Sequence, residues 1–243
     1  MLAIYRKEIN AFFASLIGYV VIGVFLIVLG LFLFVFPDTS LLTYGYATLQ
    51  PFFTLAPNIL LFLIPAVTMR ALAEERQSGA IELLLTRPLS DWSIVGGKFL
   101  ACLTLSVLAL LPTVLYGYTM YQLAEPVGNI DLGGTTGSYL GLLFLCMTFV
   151  AVGLFGSAVT TNQIVSFLLA LAVTFWLYFG FDYLASLPVF YGTADGFIQS
   201  LGMQEHYRRL GRGLIDTRDV VYFLSLTGFF LLLTVLSIRR RLW

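Results

Sequence analysis

The chain has 243 residues, of which 59% are hydrophobic and 11% are charged, and its mean hydropathy is +0.94. Lysine plus arginine equals aspartate plus glutamate at 13 each, so the formal net charge is zero. An ordinary soluble domain is about 25% charged. The composition therefore excludes a soluble domain, a disordered chain and a nucleic-acid-binding protein, and it indicates a protein embedded in the lipid bilayer.

Long charge-free windows divide the chain into six candidate membrane spans. A helix needs about 20 apolar residues to cross the hydrocarbon core, and one segment can satisfy its own backbone in lipid only as a helix. The stretch 132–181 carries no charge and is too long for one span, so we divide it at the polar residues 160–163. The sequence predicts a single all-α membrane domain over 1–243. The predicted spans are 16–36, 51–72, 94–121, 139–159, 164–184 and 220–238.

The first 15 residues precede the first span and form an amphipathic pattern. Tyr5, Ile9 and Phe12 recur at helical spacing and share one face, whereas Arg6 and Lys7 lie on other faces. We expect segment 1–15 to be an elbow helix on the inner membrane surface. Two interpretations remain open: a positive flank that only sets topology, or an elbow that a cytoplasmic partner contacts.

Segment 73–90, between the second and third spans, carries the most informative local pattern. A charged run extends the second span, Gly79 interrupts it, a short helix of about seven residues follows, and Pro88 ends that helix. The apolar side chains of the short helix share one face, which either lies in the lipid interface or docks into a groove of another protein. The candidate interface residues are Glu74, Glu75, Arg76, Ser78, Gly79, Ile81, Glu82, Leu83, Leu84 and Pro88.

The distribution of basic residues predicts orientation. With both termini in the cytoplasm, nine lysines and arginines fall on the inner side and four on the outer side, which favours this topology. The four exceptions lie in the outer loop 186–219. That loop also holds a candidate surface for acidic lipid heads, a periplasmic partner or an anionic substrate. The alternative is a solvated face near lipid phosphates. The candidate residues are Glu205, His206, Arg208, Arg209 and Arg212.

Motifs for catalysis are absent from the sequence. It contains one histidine and no H-E-x-x-H, G-x-S-x-G or G-x-x-x-x-G-K-[ST], so we expect no catalytic residue, no metal site and no enzyme activity. Cys102 and Cys146 are expected to be small buried hydrophobic residues. Lys98, at the start of the third span, is expected to extend its amine towards the membrane surface.

Small residues in the fourth span predict close helix packing. The pairs Gly137 with Gly141 and Gly153 with Ser157 are each four residues apart, a spacing that lets another helix approach closely. They mark either a moving or dimerising surface or ordinary packing inside a bundle.

The segment E-R-Q-S-G-A-I-E-L-L-L-T-R-P-L-S at 75–90, followed by G-K at 97–98, resembles the coupling-helix segment of ABC-2-type transporter permeases. The usual form is E-x-x-x-G-T-[LI]-E-x-L-L-x-x-P-[LV]-[ST], and Ala80 replaces the threonine. Three further stretches resemble the gliding-motility-associated (GldF-like) permease subunits. They are G-N-I-D at 128–131 with G-S-Y-L-G at 137–141, T-N-Q-I-V at 161–165, and E-H-Y at 205–207 with R-G-L-I-D-T-R-D-V-V-Y-F-L at 212–224.

This resemblance implies a multi-pass permease subunit of the bacterial inner membrane, with an elbow helix and a coupling helix. The implied partners are a cytoplasmic ABC ATPase dimer, a second permease half (identical or related), and an auxiliary membrane protein with a periplasmic domain. ATP and magnesium are expected on the ATPase, and no cofactor on this chain. Short re-entrant or periplasmic helices are expected between the fifth and sixth spans. The function is either ATP-driven export linked to gliding motility or a mechanical, anchoring role that moves no solute.

Overall fold

The computed structural model describes residues 1–37, 40–41, 47–80, 90–190, 192 and 194–239. Within these residues the protein is all-helical, and six helices are long and apolar enough to cross a membrane. The prediction of an all-α fold with six candidate spans is therefore confirmed. The six candidate spans are Gly18–Val35, Gln50–Gln77, Asp91–Leu123, Leu132–Val159, Gln163–Ala185 and Thr217–Arg239.

The spans contain shorter elements, because several of them change helix type along their length. The α-helices are α1 (Leu2–Ala14), α2 (Leu16–Gly30), α3 (Gln50–Gln77), α4 (Asp91–Leu110), α5 (Val114–Leu123), α6 (Leu132–Val159), α7 (Gln163–Phe175), α8 (Phe181–Ala185), α9 (Asp195–Gln199), α10 (Met203–Leu210) and α11 (Thr217–Arg239). π turns at Leu31–Val35 and Trp176–Gly180 end α2 and join α7 to α8, and a 3₁₀ turn at Leu111–Thr113 joins α4 to α5.

Local side chains explain where several helices begin and change. Asp131 accepts a hydrogen bond from the Gly134 amide at 2.8 Å, so α6 starts at Leu132 rather than at 139 as hydropathy suggests. Asn162 caps α7 in the same way through the Ile164 amide at 2.9 Å. Pro112 lacks an amide hydrogen and coincides with the 3₁₀ turn in the third span.

Helix α6 is the central element of the bundle. It is the most deeply buried of the six spans and packs between α3 and α11. A Cβ at Gly153 would collide with the Thr68 side chain of α3. The Ser157 hydroxyl accepts from the amide of Leu72 at 2.9 Å and donates to the carbonyl of Met69 at 3.0 Å. These small residues therefore serve packing inside the chain.

The first span lies at the edge of the bundle. Only 22% of its most apolar window is buried, and large apolar side chains such as Val24 and Ile27 are exposed. An apolar helix with exposed aliphatic side chains is suited to contact with lipid tails. The bundle thus has a packed core around α6 and an apolar outer surface.

The two ends of the bundle differ in composition. The end that carries α1 also holds the end of α3, the start of α4 and the end of α11, and we name it the α1 end. The opposite end holds the starts of α3 and α6 and the short helices α9 and α10. These two helices between the fifth and sixth spans agree with the short helices expected there.

Candidate coupling site

Lys98 lies at the centre of an ion cluster at the α1 end. Ser90 caps α4, and two turns later the side chain of Lys98 is only 1% exposed. Its Nζ is 2.8 Å from Glu8 Oε1 on α1 and 2.9 Å from Glu75 Oε2 on α3, and it donates to the Ala71 carbonyl at 2.6 Å. The expectation that Lys98 reaches the membrane surface is wrong, because two hydrogen bonds and an ion pair hold its amine inside the protein.

Glu75 joins a second lysine to this arrangement. The Lys7 amine donates to Glu75 Oε1 at 2.9 Å, and its side chain is 60% exposed. Burial lowers the pKa of Lys7, but the hydrogen bond to Glu75 and the charges of Glu75 and Glu8 outweigh it, so this pKa lies above its usual value. We call Lys7, Glu8, Glu75 and Lys98 the ion cluster. Its four charges cancel.

Further polar contacts at the α1 end fasten the neighbouring helices to one another. Arg76, near the end of α3, donates to the Ser237 carbonyl of α11 at 3.2 Å. Arg239, at the end of α11, pairs with Asp91 in the first turn of α4 at 2.6 Å. Both flanks of the segment 81–89 are therefore tied to the rest of the bundle through α1, α4 and α11.

The close approach of α1 to α4 depends on glycine. A Cβ at Gly97 would lie 2.9 Å from the Ile4 side chain and 3.0 Å from the Met1 carbonyl oxygen. The Tyr5 hydroxyl lies 3.3 Å from the Thr104 hydroxyl of α4. Helix α1 thus lies directly on the third span, and Ile4 is its buried contact residue.

The predicted elbow residues lie on different sides of α1. Ile9 and Phe12 pack against the apolar core, and Tyr5 is half-buried against α4. Arg6 is exposed, and Lys7 joins the ion cluster. Sequence reasoning missed Ile4 and Glu8. Both precede Phe12 at intervals of four residues, a spacing that places them on one helical face.

The predicted coupling residues are only partly described. Helix α3 ends at Gln77, the Ser78 hydroxyl donates to the Glu74 carbonyl at 2.9 Å, and Gly79 follows with a φ of +71° that favours glycine. Glu74 is half exposed and pairs with Arg70, whereas Glu75 is committed to Lys7 and Lys98. The remaining predicted residues lie outside the described residues: Ile81, Glu82, Leu83, Leu84 and Pro88.

The predicted outer-loop residues separate into two groups at the opposite end. His206 is buried, with Nδ1 2.5 Å from Asp219 Oδ1 and Nε2 2.8 Å from the Ser200 carbonyl, and its ring stacks on Tyr222 with centroids 3.9 Å apart. It therefore links α10 to α11 and offers almost no exposed surface. The sequence signal for this pair is Asp219, an acidic residue immediately before the apolar run of the sixth span.

The other outer-loop residues remain near the surface. Arg209 pairs with Glu205 one helical turn away at 3.2 Å, and Arg208 pairs with Asp182 of α8 at 3.4 Å. Arg212 follows α10 and is exposed. Across the described ranges, no three histidine, cysteine, aspartate or glutamate side chains lie close enough together to hold a metal ion.

A comparison with models of protein families gives a match over most of the chain. A family model described as "ABC-2 family transporter protein" matches residues 2–241. A search of curated proteins finds no match for the chain. The matched range includes α1, all six candidate spans, the ion cluster and segment 73–90.

Proposed function

The chain belongs to the ABC-2 transporter family, and from this premise we propose that movement of a partner ATPase enters the membrane through segment 73–90. The chain is the membrane permease of an ABC transporter and works with an ABC ATPase subunit. The permease domain is not itself the ATPase. The proposal concerns the path by which ATP-driven motion reaches the spans.

The ion cluster is the observation that carries this proposal. Lys98 on α4 joins Glu75 on α3 and Glu8 on α1 at distances below 3 Å. These two glutamates are mostly buried, and Lys98 is almost fully buried. Buried ion pairs hold defined geometry because separating them leaves an uncompensated charge in a medium of low dielectric constant.

A force on the segment 80–90 would therefore move three helices together. The segment connects α3 to α4 directly, and the ion cluster holds α1 against both. The contacts of Arg76 with Ser237 and of Arg239 with Asp91 extend the same unit to α11. Such a unit suits rigid-body transmission, in which packed elements shift together rather than deform.

We assign the α1 end to the cytoplasm of a bacterial inner membrane, with both termini there, because most lysines and arginines lie at this end. In this arrangement the ATPase dimer binds ATP and magnesium below segment 73–90. A second permease half, identical or related, completes the membrane part. The stretches at 128–141, 161–165 and 205–224 support a link to gliding motility and an auxiliary protein with a periplasmic domain.

The docking proposal is tested by changing the apolar residues Ile81 and Leu84 of segment 73–90. Ile81→Asp with Leu84→Asp should abolish co-purification of the permease with its ATPase, because two charges would replace the apolar contact. A matched control is Val189→Asp with Phe197→Asp, since both side chains are strongly exposed at the opposite end. Undiminished association in the first variant, or equal loss in the control, contradicts the proposal.

The mechanical role is the second candidate, and it rests on the same coupled helices. Purified complex in liposomes separates the two functions. ATP-dependent accumulation or loss of a solute supports transport. ATP hydrolysis that responds to the auxiliary periplasmic protein, and to no solute, supports a mechanical component instead.

A further inference from the structure

A polar cavity of about 430 Å³ lies at the end of the bundle opposite α1. One wall is a single face of α3, formed by Gln50, Thr54 and Asn58 at intervals of four residues. The π turn of the fifth span and helix α10 form the other walls. The volume lies in the range of small-molecule sites, roughly 300–1,000 Å³.

The charge lining this cavity is positive. Arg208 and Arg212 are its charged lining residues, and no aspartate or glutamate of the described chain lines it. Arg208 reaches Asp182 only at 3.4 Å, with both side chains substantially exposed. The Arg212 side chain makes no hydrogen bond or ion pair with the described residues. Two guanidinium groups thus face one concave space with little internal compensation.

Gln204, one helical turn before Arg208 on α10, offers an unmet hydrogen-bond acceptor. Gln204 Oε1 is buried without a hydrogen-bond partner among the described residues. Asn58 uses its amide to donate to the Thr54 carbonyl at 3.1 Å, so its own oxygen is also left as an acceptor. A buried polar atom without a partner is costly. A ligand that supplies a donor here would remove that cost.

The π turn is a second sign that this region is specialised. Tyr178 and Phe179 of the segment Trp176–Gly180 line the cavity. π turns inside α-helices are rare and occur frequently at functional sites. The turn places aromatic surface beside the arginines, where the apolar part of a ligand could lie.

We propose that this cavity binds a phosphate-bearing polar group that also carries a hydroxyl or amine donor. Arg208 and Arg212 contact the phosphate oxygens, because guanidinium groups match phosphate geometry. The donor lies towards Gln204 and Asn58. Two sources share this chemistry: a phospholipid headgroup and a soluble phosphorylated small molecule. The site is separate from the ATPase-facing segment, so the inference does not depend on the docking proposal.

The test measures binding to the purified full-length chain in neutral detergent. The probes are short-chain phosphatidylglycerol, short-chain phosphatidylcholine (which has phosphate but no donor) and glycerol 3-phosphate. We expect the wild type to bind phosphatidylglycerol or glycerol 3-phosphate at least tenfold more tightly than phosphatidylcholine. Binding of the lipid alone identifies a headgroup site, and binding of glycerol 3-phosphate identifies a site for soluble ligands.

Variants separate the cavity from general attraction of anions. Arg208→Gln and Arg212→Gln should each weaken binding at least tenfold, whereas Arg218→Gln should leave it unchanged. Arg218 is exposed at the same end and does not line the cavity. All three changes are at exposed arginines, and size-exclusion chromatography verifies folding. Failure of both donor-bearing probes to bind, or equal weakening by Arg218→Gln, overturns the proposal.

Discussion

Replacing Lys98 by methionine removes the central charge of the ion cluster while keeping a long unbranched side chain in its place. The variant leaves Glu8 and Glu75 mostly buried, with side chains 14% and 13% exposed. It also leaves the Ala71 carbonyl without its 2.6 Å donor. The expected destabilisation comes mainly from the carboxylates that lose their partner, since the methionine itself suits the buried position.

The size of this destabilisation depends on which contacts each carboxylate keeps. Removing one partner of a buried ion pair costs about 3–5 kcal/mol. Glu75 keeps its contact with Lys7, so only Glu8 loses its close partner, the next lysine amine being 3.9 Å away. We therefore expect a cost of about 3 kcal/mol, near the lower end of that range. For a chain of this size this corresponds to a fall in Tm of roughly 6–12 °C.

The assay is thermal unfolding of the purified chain in one detergent, with a variant that lacks both cluster carboxylates as control. The triple variant Lys98→Met, Glu8→Gln and Glu75→Gln leaves no carboxylate in the ion cluster and only the exposed amine of Lys7, so it should recover most of the lost stability. A double-mutant cycle between Lys98 and Glu8 should show coupling above about 1 kcal/mol. A loss below about 1 kcal/mol in the single variant, or no recovery in the triple, refutes the reasoning.

Three further changes test other contacts. Gly153→Ala should cost about 1–3 kcal/mol by overpacking against Thr68, and adding Thr68→Ala should restore thermal stability; no rescue would contradict the observed packing. His206→Ala should cost about 3 kcal/mol because it leaves buried Asp219 without its partner. The double variant with Asp219→Ala should lose less stability than the sum of the two single variants. Strictly additive losses in thermal unfolding would show that the two residues do not interact. Lys7→Met should cost under about 1 kcal/mol because its side chain is exposed. Because the pKa of Lys7 is raised, its contribution to stability is complete at neutral pH and is lost only as the pH rises beyond the usual lysine range. The difference in Tm between the wild type and Lys7→Met should therefore be the same at pH 6 and at pH 8.

The spans were predictable because lipid imposes a simple rule on sequence. Windows without charge must be helices, and the polar residues 160–163 marked the turn between α6 and α7. The start of α6 was less predictable, since an Asp131 cap overrides hydropathy in a stretch rich in glycine and threonine.

The ion cluster was not predictable, because its members are distant in sequence. Lys98 donates hydrogen bonds to Ala71 and Glu8, which lie 27 and 90 positions away in the sequence. A hydropathy pattern shows that a charge is present but does not show which residue it pairs with. Lys98 was therefore assigned to the membrane surface. His206 was grouped with the exposed arginines for the same reason, since the position of Asp219 before an apolar run marks it as unusual but does not show which residue it contacts. The docking face at Ile81 and Leu84 lies outside the described residues and stays a prediction.

The neutrality of the ion cluster bears on how the membrane potential acts on this protein. Moving one unit charge through 100 mV changes the free energy by about 2.3 kcal/mol. Lys7 and Lys98 balance Glu8 and Glu75, so a joint displacement of α1, α3 and α4 transfers no net charge of the cluster across the electric field. The ion cluster itself therefore adds no voltage dependence to such a movement.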